Sequence, residues 1–300
     1  MTLLEQTINK NTFMDAVTLR VGDLEAMTSY YSNILSLHPL EEQAHGREVH
    51  RVLGRAGTPL LRLIATPGLP AVDPRQAGLY HTAFLFESKE SLAATVYRAA
   101  QEPRSRFVGS SDHLVSEAFY FTDPEGNGIE LYVDRPRSEW TYASNGDVNM
   151  DTIYLDPNRY LQTHLSETVL NNTEILPASI GHVHLQVGDT QVARDFYVDK
   201  IGFDAMTSIP GALFASAGGY HHHVAMNTWH SAGAGPRAAT LGLADVAVVV
   251  PDREDLDMLV ERLKGSQFSD NGTSVVTQDP WGTQITISLP EVTTDELLNR

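Results

Sequence analysis

Ser116-Glu-Ala-Phe-Tyr-Phe-Thr-Asp-Pro-Glu-Gly-Asn-Gly-Ile-Glu-Leu-Tyr132 is the stretch on which the reading of this chain turns. Two apolar, β-favouring segments flank Asp123-Pro-Glu-Gly-Asn-Gly128, whose proline and glycines mark a tight turn. Alternation along the second segment puts Ile129 and Leu131 on one face and Glu130 and Tyr132 on the other. A carboxylate in that position either meets water at the sheet surface or points inward. Pointing inward, it needs a cation, because an unpaired buried charge is costly.

Working outward, the same turn signal recurs as Asp279-Pro-Trp-Gly282. Val17-Thr-Leu-Arg-Val-Gly-Asp23 matches Val183-His-Leu-Gln-Val-Gly-Asp189, and without a gap Tyr31 meets Tyr197 and Leu37 meets Phe203. His81-Thr-Ala-Phe-Leu-Phe86 lies against Asp245-Val-Ala-Val-Val-Val250, each a strand entering a helix. Ala56-Gly-Thr-Pro-Leu-Leu-Arg-Leu-Ile64 lies against Ala217-Gly-Gly-Tyr-His-His-His-Val-Ala225. Four units of strand, helix and further strands therefore start near residues 14, 79, 180 and 241. The first is expected to carry a helix from Leu24 to about Ile34. Residues 1–136 form an expected N-terminal domain, 137–178 a connection and 179–300 a C-terminal domain. In the connection, Asp156-Pro157 predicts a helix start for Arg159 to Leu170, with His164 exposed on it.

The 300 residues are ample for a core at 42% hydrophobic content. A formal charge of −17 argues against a nucleic-acid partner, since no basic patch would neutralise phosphates. Cysteine is absent, so disulfides, thiolate metal sites and cysteine nucleophiles are excluded. Any metal must use His, Asp or Glu. No basic stretch followed by an apolar run opens the chain and no run is long enough for a membrane span. The expectation is a cytoplasmic protein with no membrane partner.

Metal-capable residues fall unevenly over the repeat. At the first strand, unit two has His81 and unit three His182, while unit one has Ala16 and unit four Asp245. At the last strand, unit two has Glu130 and unit four Thr286. Unit three carries His221-His222-His223 where unit one has Leu60-Leu61-Arg62. The inner units are loaded and the outer ones nearly blank, the trace a single shared site would leave. Each residue has a bland alternative: His81 as a satisfied core histidine, His184 as a strand neighbour of His182, the triplet as a surface strand. Two imidazoles and one carboxylate make a facial triad suited to Fe(II) and O₂, and a zinc hydrolase could use the same donors. Trp229, Trp281, Phe119 and Phe214 either line a pocket or fill the core, and the core is the expectation for each.

These motifs resemble the vicinal-oxygen-chelate superfamily. Ile180-Gly-His-Val-His-Leu185, Asp195-Phe-Tyr-Val-Asp-Lys-Ile-Gly-Phe203, Gly219-Tyr-His-His-His-Val-Ala225 and Tyr120-Phe-Thr-Asp-Pro-Glu-Gly-Asn-Gly-Ile-Glu130 are similar to extradiol ring-cleaving dioxygenases of the catechol 2,3-dioxygenase type. The resemblance implies an α+β fold of four βαβββ modules paired into cupped mixed sheets. It implies His81, His182 and Glu130 as ligands of Fe(II), with Mn(II) as the other candidate ion. It implies His222 as the acid–base group, Tyr120 as a site tyrosine and His113 as a supporting histidine. The substrates would be a small aromatic diol and O₂, and a homo-oligomer is possible. An isomerase or lyase on another metal, or an aromatic- or antibiotic-binding protein, are the alternatives. One departure stands out. Asp245 and Thr286 deny the last unit a full ligand set, so unit two is expected to pair with unit three, and unit one with unit four. Asp245 as a substitute ligand is the rival.

Overall fold

In the computed structural model, which describes residues 7–46, 48–171 and 176–290, each of the four units forms one strand, one helix and three strands. The second unit runs through strand Gly78–Phe86, helix Lys89–Gln101 and strands Arg106–Asp112, Ser116–Thr122 and Gly128–Asp134. The third runs through strand Ala178–Gln186, helix Thr190–Phe196 with a π turn over Tyr197–Ile201, and strands Asp204–Ile209, Ala212–Ser216 and Val224–Asn227. Units one and four begin with strands Val17–Val21 and Gly242–Val249.

Among the described residues two nine-stranded sheets result, and each draws one unit from either side of the connection. Gly78–Phe86 pairs antiparallel with Ala178–Gln186, joining units two and three. Val17–Val21 pairs antiparallel with Gly242–Val249, joining units one and four. Within a unit, first and last strands run parallel, Thr82 opposite Ile129, so both sheets are mixed.

Alternation sorts the second sheet into two buried faces. Phe84, Phe86, Ile129, Leu131, Val183 and Leu185 join the main hydrophobic cluster under the helices. His81, Ala83, Glu130, Tyr132, His182 and His184 occupy the opposite face, buried as well. Polar residues enclosed there must find partners, because a buried polar group left alone is costly. That requirement makes this face the place to look for chemistry.

The helices begin where sequence chemistry puts them. Asp23 caps Leu24–Leu35 by accepting from the Ala26 N–H, and Asp189 caps Thr190–Phe196 in the same way. Helix and sheet are then tied by the repeated residues. Tyr31 donates its hydroxyl to Asp123 at 2.9 Å, and its counterpart Tyr197 donates to Asp279 at 3.0 Å. Both aspartates also accept the backbone N–H groups of their own Asp-Pro turns. Burial pushes the Asp123 carboxyl up to about 6 and Asp279 in the same direction. Losing one of these donors strands a buried acceptor, so Tyr197→Phe is expected to cost ~1–3 kcal/mol in urea unfolding. An unchanged midpoint would mean that water replaces the hydroxyl.

The connection differs from expectation. Asp156 caps a helix, but it spans only Pro157–His164, and a second short one follows at Glu167–Asn171. Ile153–Tyr154 adds a strand to the second sheet beside Arg106–Asp112. His164 is half-buried rather than exposed, its ring 4.6 Å from that of Tyr160.

Candidate metal centre

The donors come together across three strands because the middle one carries a small residue. Ala83 lies opposite His182 on one side and Glu130 on the other. Its methyl group leaves room for the two flanking side chains to meet above it, and His81, two residues earlier, points to the same face. Glu130 Oε2 lies 3.0 Å from His182 Nε2 and 2.8 Å from His81 Nε2. All three residues are at most 6% exposed. Gly181, at a bulge beside His182, is obligatory: a Cβ there would collide with the Tyr132 hydroxyl, which pairs with that of Tyr220.

Do these atoms suit a cation? Donors at right angles about an ion, on bonds of about 2.1 Å, sit ~3.0 Å apart. The two separations match that spacing. Buried His81 Nε2 makes no hydrogen bond among the described residues. His182 Nε2 is hydrogen-bonded to Glu130, so His81 Nε2 is the nitrogen left with a lone pair to offer an ion. Burial drives the His182 imidazole down to about 4, despite the pull of Glu130 in the other direction. Burial alone would raise the Glu130 carboxyl, but His182 and His81 hold it well below the usual range. Neutral imidazole and ionised carboxylate are the forms that bind metal.

A cavity of about 550 Å³ opens over this cluster. His81, Glu130, Tyr120, His113, His222 and His184 all line it, so five of the six expected site residues reach its wall, with His182 behind. Tyr120, cross-strand from Glu130, meets His113 Nε2 at 2.6 Å. The carbonyl of Asp151 accepts from His113 Nδ1 at 2.7 Å, so Nε2 is the acceptor and the Tyr120 hydroxyl donates to it. Burial and the charge of Glu130 push the Tyr120 phenol well up, which keeps it protonated.

His222 lies with its ring 4.0 Å from that of His182, and burial holds it well below the ordinary imidazole value. His221 joins it at 2.7 Å, Nδ1 to Nδ1, and reaches Asp134 through Nε2 at 2.9 Å. His182, His221 and His222 thus form a second group able to hold a metal. It lacks a carboxylate donor of its own. His223 turns away to Ser216. The triplet is no surface strand: it is buried, in a bend that precedes Val224–Asn227.

The rival ligand does not reach the cluster. Asp245 lies in the other sheet, where Thr286 donates to it at 2.8 Å, and it belongs to neither metal-capable group. Phe119 and Trp281 are core residues as expected. Phe214 is a core residue too, packed with Ala212 and Ala225, and it also lines the cavity, as does the half-exposed Trp229. His184 is more than a packing neighbour, since Asn227 Nδ2 donates to its Nε2 at 2.9 Å. Asp134 is the contact residue missed from sequence, and His221 was singled out only as part of the triplet. A signal for Asp134 existed: it follows Glu130 by four, hence on the same strand face.

Comparison with known proteins bears on the family and the fold. The family described as Glyoxalase/Bleomycin resistance protein/Dioxygenase superfamily matches residues 13–131 and 179–294. A catechol-2,3-dioxygenase of Bacillus subtilis is 36% identical over 269 residues, covering 88% of this chain and 91% of that protein. Biphenyl-2,3-diol 1,2-dioxygenase 3 of Rhodococcus globerulus is 30% identical over 45% of this chain and 72% of its own. Glyoxalase I of Zea mays shares the fold at a TM-score of 0.56, with 15% identity over 93% of this chain and 92% of that one. Among the described residues, no helix is long and apolar enough to cross a membrane.

Proposed function

The chain belongs to the glyoxalase/bleomycin resistance protein/dioxygenase superfamily, and from that membership we propose that it is an extradiol dioxygenase. It would open the ring of catechol or a substituted catechol beside the two hydroxyls, using O₂ and one Fe(II) held by His81, His182 and Glu130. Similarity to a catechol-2,3-dioxygenase over most of the chain supports dioxygenase chemistry at this site. The observation that carries the reading is the convergence of two imidazoles and one carboxylate at a cavity that acid–base side chains also line.

When bound, the metal would lower the pKa of a diol hydroxyl and offer a position for O₂. The protein's own contribution follows from its side chains. Glu130 offsets part of the ion's charge, and the imidazoles leave other positions free. His222 takes the diol proton and returns it to a departing oxygen, work within reach of a buried neutral imidazole. Tyr120, its proton committed to His113, presents its oxygen lone pairs to a substrate hydroxyl. Phe214 and Trp229 supply apolar wall for the ring. Mn(II) accepts the same donors. The fold's place in the cytoplasm and any self-association belong to this proposal as well.

Anaerobic loading with Fe(II), followed by catechol and air, tests it. O₂ uptake in step with a yellow product is expected. If the loaded protein consumes no O₂ with catechol, 3-methylcatechol or 2,3-dihydroxybiphenyl, the assignment fails.

A further inference from the structure

We propose that Asp134, acting through His221, is a positioning residue that fixes the tautomer of His222. The inference rests on the reading of His222 as the acid–base group. A carboxylate can only accept, so the 2.9 Å contact between Asp134 Oδ1 and His221 Nε2 places a proton on that nitrogen. In the neutral His221 ring, Nδ1 is then left as an acceptor. It lies 2.7 Å from His222 Nδ1, which must therefore carry the hydrogen. His222 Nε2 remains with its lone pair, and His222 lines the cavity. The polarity of this chain is set at its far end, by a group that never touches a substrate.

Two further observations make the chain directional rather than accidental. His221 is completely buried, and its ring is packed by Tyr220 at 4.0 Å, Trp140 at 5.5 Å and Tyr132 at 6.1 Å, so both of its ring nitrogens are shielded from water. Asp134 is not claimed by the neighbouring cation: Arg135 turns to Asp112 and Glu117. Such an outer partner holds an imidazole in the form its task requires, much as the partners of metal-bound histidines do.

The test reads the tautomer directly. Protein labelled with ¹⁵N-histidine and loaded with Zn²⁺ gives ring-nitrogen signals, with His222 assigned by their loss in His222→Gln. The unaltered protein should show His222 protonated at Nδ1. Asp134→Asn still offers an acceptor oxygen and should keep that pattern. Asp134→Ala and His221→Phe should each lose it, and one folded variant of the two suffices. In the iron-loaded enzyme Asp134→Ala should lower kcat by about tenfold or more with KM held, a fraction of what acid–base groups contribute, and Asp134→Asn should restore it. An Nε2-protonated His222 in the unaltered protein, or an unchanged signal in both disruptive variants, overturns the proposal. The expected nitrogen pattern in a protein that consumes no O₂ would leave the tautomer relay standing and remove only the dioxygenase assignment.

Discussion

Glu130→Gln should yield a folded protein that no longer keeps its metal. The substitution preserves volume in a site at most 6% exposed and removes the only anionic donor of the cluster. What remains is two imidazoles, and burial keeps His182 neutral. Even partners one layer out from a metal are worth 10–100-fold in affinity, so losing a charged donor should cost about 100-fold or more. Metal analysis after dialysis against a weak chelator would read close to one ion per chain in the unaltered protein and close to none in the variant. Thermal unfolding gives a second readout. An ion that binds only the folded state raises its stability by mass action, so added Fe(II), Mn(II) or Zn(II) should raise the Tm of the unaltered protein and not of Glu130→Gln. O₂ uptake should vanish with the ion. A variant that retains a stoichiometric metal would place the ion elsewhere.

How much of this could be read in the sequence depends on which residues a repeat exposes. The pairing of inner with inner and outer with outer units was legible because ligand types were missing from Ala16 and Thr286, and the sheets join those units. The turn at Asp123-Pro124 and its twin at Asp279-Pro280 were legible as punctuation. What they hold was not, because the Tyr31–Asp123 and Tyr197–Asp279 contacts span 92 and 82 residues. The local geometry of the histidine triplet was not legible either. Its counterpart around Leu61 is continuous strand within Thr58–Ala65, where alternate residues share a face. Residues 221–223 instead bend ahead of the strand, and His221 and His222, adjacent in sequence, meet nitrogen to nitrogen. No period-two argument reaches that. Depth was equally hidden: Phe214 is 9% exposed and Trp229 is 45% exposed, yet both belong to one cavity wall.

His222→Phe should separate metal binding from turnover. The ring packs against His182 at 4.0 Å and Phe214 at 5.1 Å, so Phe preserves the filling that Ala would remove. Metal content should stay near one ion per chain while kcat falls about 10²–10⁴-fold, the usual contribution of a positioned acid–base group. The competing geometry makes the experiment sharp, because His182, His221 and His222 form a second possible nest for an ion. An ion seated there would leave with His222→Phe and survive Glu130→Gln. An ion seated on His81, His182 and Glu130 would do the reverse. Charge argues for the latter, since a divalent ion in a buried site gains most from an ionised donor, and Glu130 is held ionised by its two imidazoles. Geometry argues the same way: His221 already spends both nitrogens, on Asp134 and on His222, and would have to break one hydrogen bond to coordinate. Crossing the two variants against metal content and kcat therefore assigns the ion and the acid–base group in one experiment.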